Sequence, residues 1–89
     1  MATASQADFP VTGTWADVVA TVTAAASVDA VYQNVGNDVV QVFFGGGSAP
    51  TSGSGIYLYQ GDSVQGNAAN VWARTPVGSD ASALSVTVL

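Results

Sequence analysis

The residues that could carry chemistry are few in this sequence, and they lack the partners that most enzymes need. The 89 residues include nine serines but no histidine, cysteine or lysine. A serine is a weak nucleophile until a neighbouring base, usually histidine or lysine, removes its proton. We therefore predict that the protein is not an enzyme and that it has no catalytic residues.

The other groups with acid–base chemistry are six carboxylates, all of them aspartates. A glycosidase would need two of them on opposite sides of a substrate, one with a raised pKa. Most stand instead in or beside predicted turns, where aspartate accepts hydrogen bonds from nearby backbone. We interpret these as turn and capping residues: Asp29, Asp38, Asp62 and Asp80.

Oxygen ligands for a metal ion occur close together at two places. Asn34, Asn37 and Asp38 form one group, and Asp62 and Asn67 form another. Calcium prefers such ligands and is the one metal that stays open as an alternative. Because the EF-hand spacing is missing, we predict no metal and no cofactor.

Charge is scarce along the whole chain. Charged residues make up 8% of it, against about 25% in a typical soluble domain. Arg74 is the sole cation in a chain of net charge −5, and one cation cannot neutralise a run of phosphates or hold an anionic bilayer. We predict no nucleic-acid partner and no membrane partner, and we expect other protein subunits to cover much of the surface.

The N-terminal residues carry no targeting signal of a known type. Residues 1–14 lack a basic region followed by an apolar one, and no stretch of the chain approaches the ~20 apolar residues of a membrane span. We expect synthesis in a cytoplasm without a secretory leader.

The pattern of residues along the chain indicates an all-β protein. Fifteen valines and eight threonines alternate with other residues between glycine, asparagine and serine turn signals. Turn signals every 8–12 residues or so are typical of a small β-sandwich or β-barrel. We predict an extended N-terminal arm over residues 1–14 and a single β domain over residues 15–89, jelly-roll-like, with seven or eight short strands.

The individual strands follow from the same pattern. Residues 15–23 are predicted as the first strand because valine and threonine are β-branched, with a helix as the alternative. Gly36, Asn37 and Asp38 predict a hairpin turn between the next two strands. A glycine-rich loop over residues 45–55 has no lysine of a phosphate-binding loop. The predicted strands after the first span residues 28–35, 39–44, 56–60, 71–75 and 83–89, and a further short segment is predicted around Val64. The last strand is predicted to be central in its sheet.

Alternate residues of a strand face opposite sides, which separates a predicted core from a predicted surface. Tyr57 and Tyr59 then share the face opposite Ile56, and Trp72 shares a face with Arg74. Tyrosine, tryptophan and arginine are enriched in protein interfaces, although these aromatics could instead close a second face of the core. The predicted interface residues are Phe9, Tyr57, Tyr59, Trp72 and Arg74, and the predicted core is Val40, Val42, Phe44, Ile56, Leu58, Val71, Leu84, Val86 and Val88.

Short motifs between residues 31 and 89 carry a resemblance to a known group of proteins. They are QNVG, the glycine-rich loop, the pattern G-I-x-L-x-x-G-x-S, VWAR and a final LSVTV. This stretch resembles the small all-β virion proteins of tailed bacteriophages, and none of the motifs is catalytic. The resemblance implies a capsid decoration (cement) protein that binds the major capsid protein on the outer capsid surface of the virion, often as a dimer or trimer.

The functional prediction is a non-enzymatic virion structural protein that decorates and stabilises a phage head. A receptor- or glycan-binding module of a tail fibre or spike is one alternative, and a minor tail or connector component is another. In the leading hypothesis the N-terminal arm gains order on docking by adding a strand to a neighbouring sheet edge.

Overall fold

The architecture is that of an all-β protein with one short helical segment. The structure is a computed structural model and describes residues 4–5, 8–45, 47–48, 50, 55–76 and 81–89. The predicted turn at residues 78–80 and residues 51–54 of the predicted loop lie outside the described residues. The elements are β1 (Ala4–Ser5), β2 (Phe9–Val11), β3 (Ala16–Asp17), α1 (Val18–Thr21), a 3-10 helix (Thr23–Ala25), β4 (Ala30–Asn34), β5 (Val40–Gly45), β6 (Ile56–Leu58), β7 (Ser63–Gly66), β8 (Asn70–Arg74) and β9 (Ser82–Val88).

The strands form two antiparallel sheets. In the first, which we name sheet A, β9 lies between β4 and the N-terminal strands, and β7 pairs with the other side of β4. β1 and β2 pair one after the other along the same side of β9, so they act as one interrupted edge strand. The second, sheet B, has the order β3-β8-β5-β6.

The pairing pattern is that of a jelly roll, in which a long hairpin of eight strands is rolled up. If β1 and β2 count as one strand, the first strand pairs with the eighth, the second with the seventh, the third with the sixth and the fourth with the fifth. Two further pairs, β4 with β9 and β5 with β8, join the rolled hairpin into two sheets. The predicted jelly-roll-like sandwich is therefore confirmed, and so is the central position of the last strand.

The core lies between the two sheets and is built mainly from small aliphatic side chains. Tyr32 of sheet A meets Phe44 of sheet B edge to face, with ring centroids 5.5 Å apart. Six predicted core residues are buried, and Phe44 and Val88 are partly buried against them. Ile56 is instead 44% exposed, because it lies on an edge strand that has a neighbour on one side only. The confirmed buried residues are Val40, Val42, Leu58, Val71, Leu84 and Val86.

The prediction of a strand over residues 15–23 is wrong for most of its length. Only Ala16–Asp17 is a strand, and the chain continues as α1. Asp17 caps this helix, since its carboxylate accepts a hydrogen bond from the backbone N–H of Val19 at 3.1 Å. Val18 and Val19 are adjacent and both buried, which a strand with one buried face cannot provide. α1 packs against β8 and the 3-10 helix against β9, so this segment passes from one sheet to the other.

The predicted hairpin at Gly36, Asn37 and Asp38 is also wrong. β4 belongs to sheet A and β5 to sheet B, so the two strands do not pair with each other. The reason is that both sides of β4 are already occupied, by β7 and β9. These turn residues instead connect β4 of sheet A to β5 of sheet B.

The N-terminal arm includes a strand of the domain. Phe9 and Val11 are buried while Pro10 between them is exposed, the alternation of a half-buried strand. Pro10 fits this place because an edge strand needs no hydrogen-bond donor on its outer side. The predicted arm thus contributes both β1 and β2 to sheet A, and the partner that holds these strands is the last strand of the same chain.

Candidate interaction surface

The outward side of sheet B is the most distinctive surface of the described residues. Along β8, the side chains of Val71 and Ala73 are buried in the core, whereas Asn70, Trp72 and Arg74 are partly exposed on the other side. The predicted sharing of one face by Trp72 and Arg74 is therefore confirmed by this alternation.

The strand register gathers further side chains around these two. Trp72 lies opposite Phe43 of β5, and Arg74 lies opposite Gln41 of the same strand. Gln41 in turn lies opposite Tyr57 of the edge strand β6. Directly opposed residues on one sheet face have Cβ atoms about 5 Å apart, so these side chains are neighbours.

Arg74 is fixed in place at one end of this surface. Its guanidinium carbon lies 4.7 Å from the ring centroid of Trp15, within the range of a cation–π contact. Its Nε atom donates a hydrogen bond to Oε1 of Gln41 at 3.0 Å. Both of these contacts are with neutral groups. We name the surface made by Trp15, Phe43, Tyr57, Trp72 and Arg74 the aromatic face.

Asp17 lies opposite Trp72 in the register of β3 and β8, and its carboxylate is used within the fold. Besides capping α1, its carboxylate accepts hydrogen bonds from the side-chain amide of Asn70 and from the backbone N–H of Val71 at 3.4 Å. These contacts tie β3 to β8 and orient the segment that carries Trp15. The carboxylate is therefore a structural group.

The five predicted interface residues have different places in the structure. Trp72, Arg74 and Tyr57 come together on the aromatic face, and Tyr57 is 48% exposed. Tyr59, just beyond the end of β6, is 63% exposed. Phe9 is buried in the core from sheet A, so its side chain is not offered to a partner in this fold.

Sequence reasoning did not single out Trp15, Phe43 or Gln41 as members of this surface. Phe43 alternates with Val42, a signal that it faces outward. Its position opposite Trp72 depends on the register of β5 and β8, which no local pattern specifies. Gln41 is fully buried although it lies on the outward side, because its neighbours cover it.

Tyr32 has a shifted pKa, and it belongs to the core. Burial raises the pKa of its hydroxyl above the ordinary value of 10.0, and the negative charge of Asp17 adds to this rise. Among the described residues no hydrogen-bond partner reaches this hydroxyl. A buried neutral phenol between two sheets is a packing group, not a site for chemistry.

The possible metal ligands are engaged in turn structure. The Asn34 side chain donates to two backbone carbonyls, of Asp38 and Leu58, and accepts from Gly36 and Ser82. Within the described ranges, no three acidic, histidine or cysteine side chains gather in one place, and no pocket is present. The two helices of these ranges are too short to cross a bilayer.

Comparison with known proteins returned no match, whether to family models, to curated proteins or to solved structures. The resemblance to bacteriophage virion proteins stays a prediction from sequence motifs. The class that the structure defines is that of a small jelly-roll domain with an aromatic outward face.

Proposed function

We propose that this protein is a non-enzymatic structural protein that attaches through the aromatic face to a larger protein assembly. The particular assembly we propose is the outer surface of a bacteriophage head, with the major capsid protein as partner. The observation that carries the proposal is the cluster of partly exposed tryptophan, tyrosine, phenylalanine and arginine side chains on one rigid sheet. These residue types dominate the energetics of protein interfaces.

The contrast between the two outward faces supports this orientation. The outward side of sheet A carries mainly neutral polar side chains around the partly exposed Val31, and we name this surface the polar face: Gln33, Ser63, Gln65, Ser85 and Thr87. Such side chains can stay hydrated at little cost, whereas aromatic rings gain free energy when they leave water. The aromatic face therefore fits a partner, and the polar face fits solvent.

A decoration protein of this kind acts by mass action. It stabilises the assembled shell because it binds the assembled state and not the separate subunits. A flat sheet face suits this role, since it can lie across the seam between two subunits. Repetition of the contact over the shell then adds many modest binding energies. The jelly roll occurs among viral capsid domains, which is an association at the level of the fold alone.

The first prediction concerns rebinding of the purified protein to particles that lack it. We expect the wild-type chain to saturate a fixed number of sites. Trp72→Ala should bind about 30-fold more weakly, because the loss of a central aromatic contact typically costs about 2 kcal/mol of binding free energy. The matched control is Gln65→Ala on the polar face, which should bind like wild type. Equal occupancy for the two variants, both shown to be folded by thermal denaturation, would refute the aromatic face as the contact surface.

A second candidate function is binding of a receptor glycan by the same face, as part of a tail fibre or spike. The observation that favours it is the position of Asn70 beside Trp72, since sugars stack on aromatic rings and hydrogen-bond to neighbouring amides. Titration of the isolated chain with an array of oligosaccharides separates the two proposals. Saturable binding that Trp72→Ala abolishes would favour the glycan function over decoration.

A further inference from the structure

Among the described residues, this sandwich has four sheet edges without a neighbouring strand, and these edges are protected to different degrees. An unpaired edge strand is a template for pairing with another chain, and proteins usually block it with charge, proline or a very short strand. The edge formed by β1 and β2 contains Pro10, and Asp8 lies between its two strands. The edge β3 has two residues, one of them Asp17. The edge β7 follows directly on Asp62 and bears small polar side chains.

The fourth edge, β6, is also short, with three residues, but it has neither a charge nor a proline. Residues 55–61 include no charged residue and no proline. The same segment holds three of the exposed large apolar side chains of the described residues: Ile56 at 44%, Tyr57 at 48% and Tyr59 at 63%. This edge is continuous with the aromatic face through Tyr57, which lies opposite Gln41.

The sequence of this edge is complementary to itself when two copies run antiparallel. With Tyr57 opposite Tyr57 of the second copy, Ile56 lies opposite Leu58 and Gly55 lies opposite Tyr59. These are an aromatic pair, an aliphatic pair and an aromatic ring over a glycine, all favourable cross-strand neighbours. Residues 55–61 carry no charge that a symmetric pairing would set against its own copy. The nearest charge is the carboxylate of Asp62, which accepts a hydrogen bond from the N–H of Tyr59 at 3.1 Å at the end of the segment.

We propose that two copies of this chain pair antiparallel along β6 about a two-fold axis at Tyr57. The pairing joins the two copies of sheet B into one sheet of eight strands. The two aromatic faces then lie on the same side of that sheet and form a double contact surface. The inference concerns the isolated chain and does not depend on what the aromatic face binds.

The dimer is expected to be weak in solution. A stable interface covers about 800 Å² on each partner. A whole aromatic side chain has an area of about 200 Å², so the exposed halves of two tyrosines together supply roughly a quarter of the area that a stable interface needs. We therefore expect a dissociation constant on the order of 10–100 μM. Two copies held on one assembly would pair more completely, because their local concentration is higher.

The test is the mass of the purified full chain by analytical ultracentrifugation from 1 μM to about 1 mM. We expect the mass to rise from 8.9 kDa towards twice that value. Tyr57→Lys should abolish the rise, since it sets two ammonium groups against each other across the axis. Val28→Lys is the matched control, because Val28 is 37% exposed and lies outside the sheet edges.

A second variant tests the register without relying on the lysine substitution. The chain has no cysteine, so Tyr57→Cys carries a single thiol, which should form a disulfide-linked dimer upon mild oxidation. Val28→Cys should do so much more slowly. A wild-type chain that stays monomeric at 1 mM, a mass beyond two copies, a dimer that survives Tyr57→Lys, or equal cross-linking of the two cysteine variants would each overturn the proposal.

Discussion

At the scale of single residues, Tyr32 is the most informative side chain in the core. It is fully buried, its ring packs edge to face on Phe44, and its hydroxyl has no hydrogen-bond partner among the described residues. A buried hydroxyl without a hydrogen-bond partner lowers the stability of the fold. Removing the hydroxyl while keeping the ring does not lower that stability. The ring stabilises the fold by packing, whereas the buried hydroxyl destabilises it.

Replacing Tyr32 by phenylalanine is therefore expected to leave the free energy of unfolding at pH 7 unchanged or raised by about 1 kcal/mol. The pKa of Tyr32 is raised in the folded state. The contribution of this pKa shift to the free energy of unfolding is therefore complete below pH 10, and it is lost as the pH rises from 10 through the folded-state pKa. The variant should lose less stability than wild type in that alkaline window. Urea unfolding at pH 7 and above pH 10 measures both effects.

The control for this prediction is Tyr59→Phe, which removes a hydroxyl from an exposed ring. At pH 7 it should change the free energy of unfolding by about 0.5 kcal/mol or less. A loss of more than about 1 kcal/mol in Tyr32→Phe at pH 7 would mean that the hydroxyl makes a stabilising contact.

At the scale of elements, the connection between β4 and β5 depends on one buried side chain. Asn34 ends β4, and its amide donates to the carbonyls of Asp38 at 2.7 Å and of Leu58 at 2.8 Å. Its oxygen accepts from the N–H of Gly36 and from the hydroxyl of Ser82, each at 3.0 Å. One side chain thus links the crossing segment to β6 and to the start of β9.

We expect Asn34→Ala to lower the free energy of unfolding by about 3 kcal/mol or more, since it leaves several buried polar groups without partners. A domain of this size has about 4–13 kcal/mol in total, so the loss is severe. Chemical denaturation measures it, with Gln33→Ala as the control. Gln33 is the exposed neighbour with a single side-chain bond, to the carbonyl of Gly61, and should change stability by about 0.5 kcal/mol or less. A similar small change in both variants would contradict the role given to Asn34.

Some properties of the strands and helices could be predicted from the sequence, and others could not. Alternation in β8 and β9 predicts which side chains are buried, because period two is a local property of a strand. The crossing at Gly36, Asn37 and Asp38 was predicted as a hairpin because turn residues do not encode which sheet the next strand joins. The capping of α1 by Asp17 was missed because valine-rich sequence usually favours strands.

At the scale of the whole molecule, the scarcity of charge and the arrangement of the two sheets together determine the character of the outward faces and edges. A sandwich has two outward faces and several edges, and most small domains cover them with lysine and glutamate. Here one face is polar and neutral, the other is aromatic, and the edge β6 is apolar. The composition predicted a surface covered by other subunits. The composition does not show where aromatic side chains gather; the register of β5 and β8 does, since it brings Phe43 beside Trp72.

The proposal that this chain decorates a phage head is tested most directly by its copy number in purified particles. Quantitative mass spectrometry can compare the chain with the major capsid protein in intact virions from a strain that carries the gene and in virions from a deletion strain. We expect hundreds of copies per particle, in a simple ratio to the capsid subunits, and deletion particles that disrupt at lower temperature. A chain that is missing from the virions, or present in a few to a few dozen copies, would contradict decoration of the head.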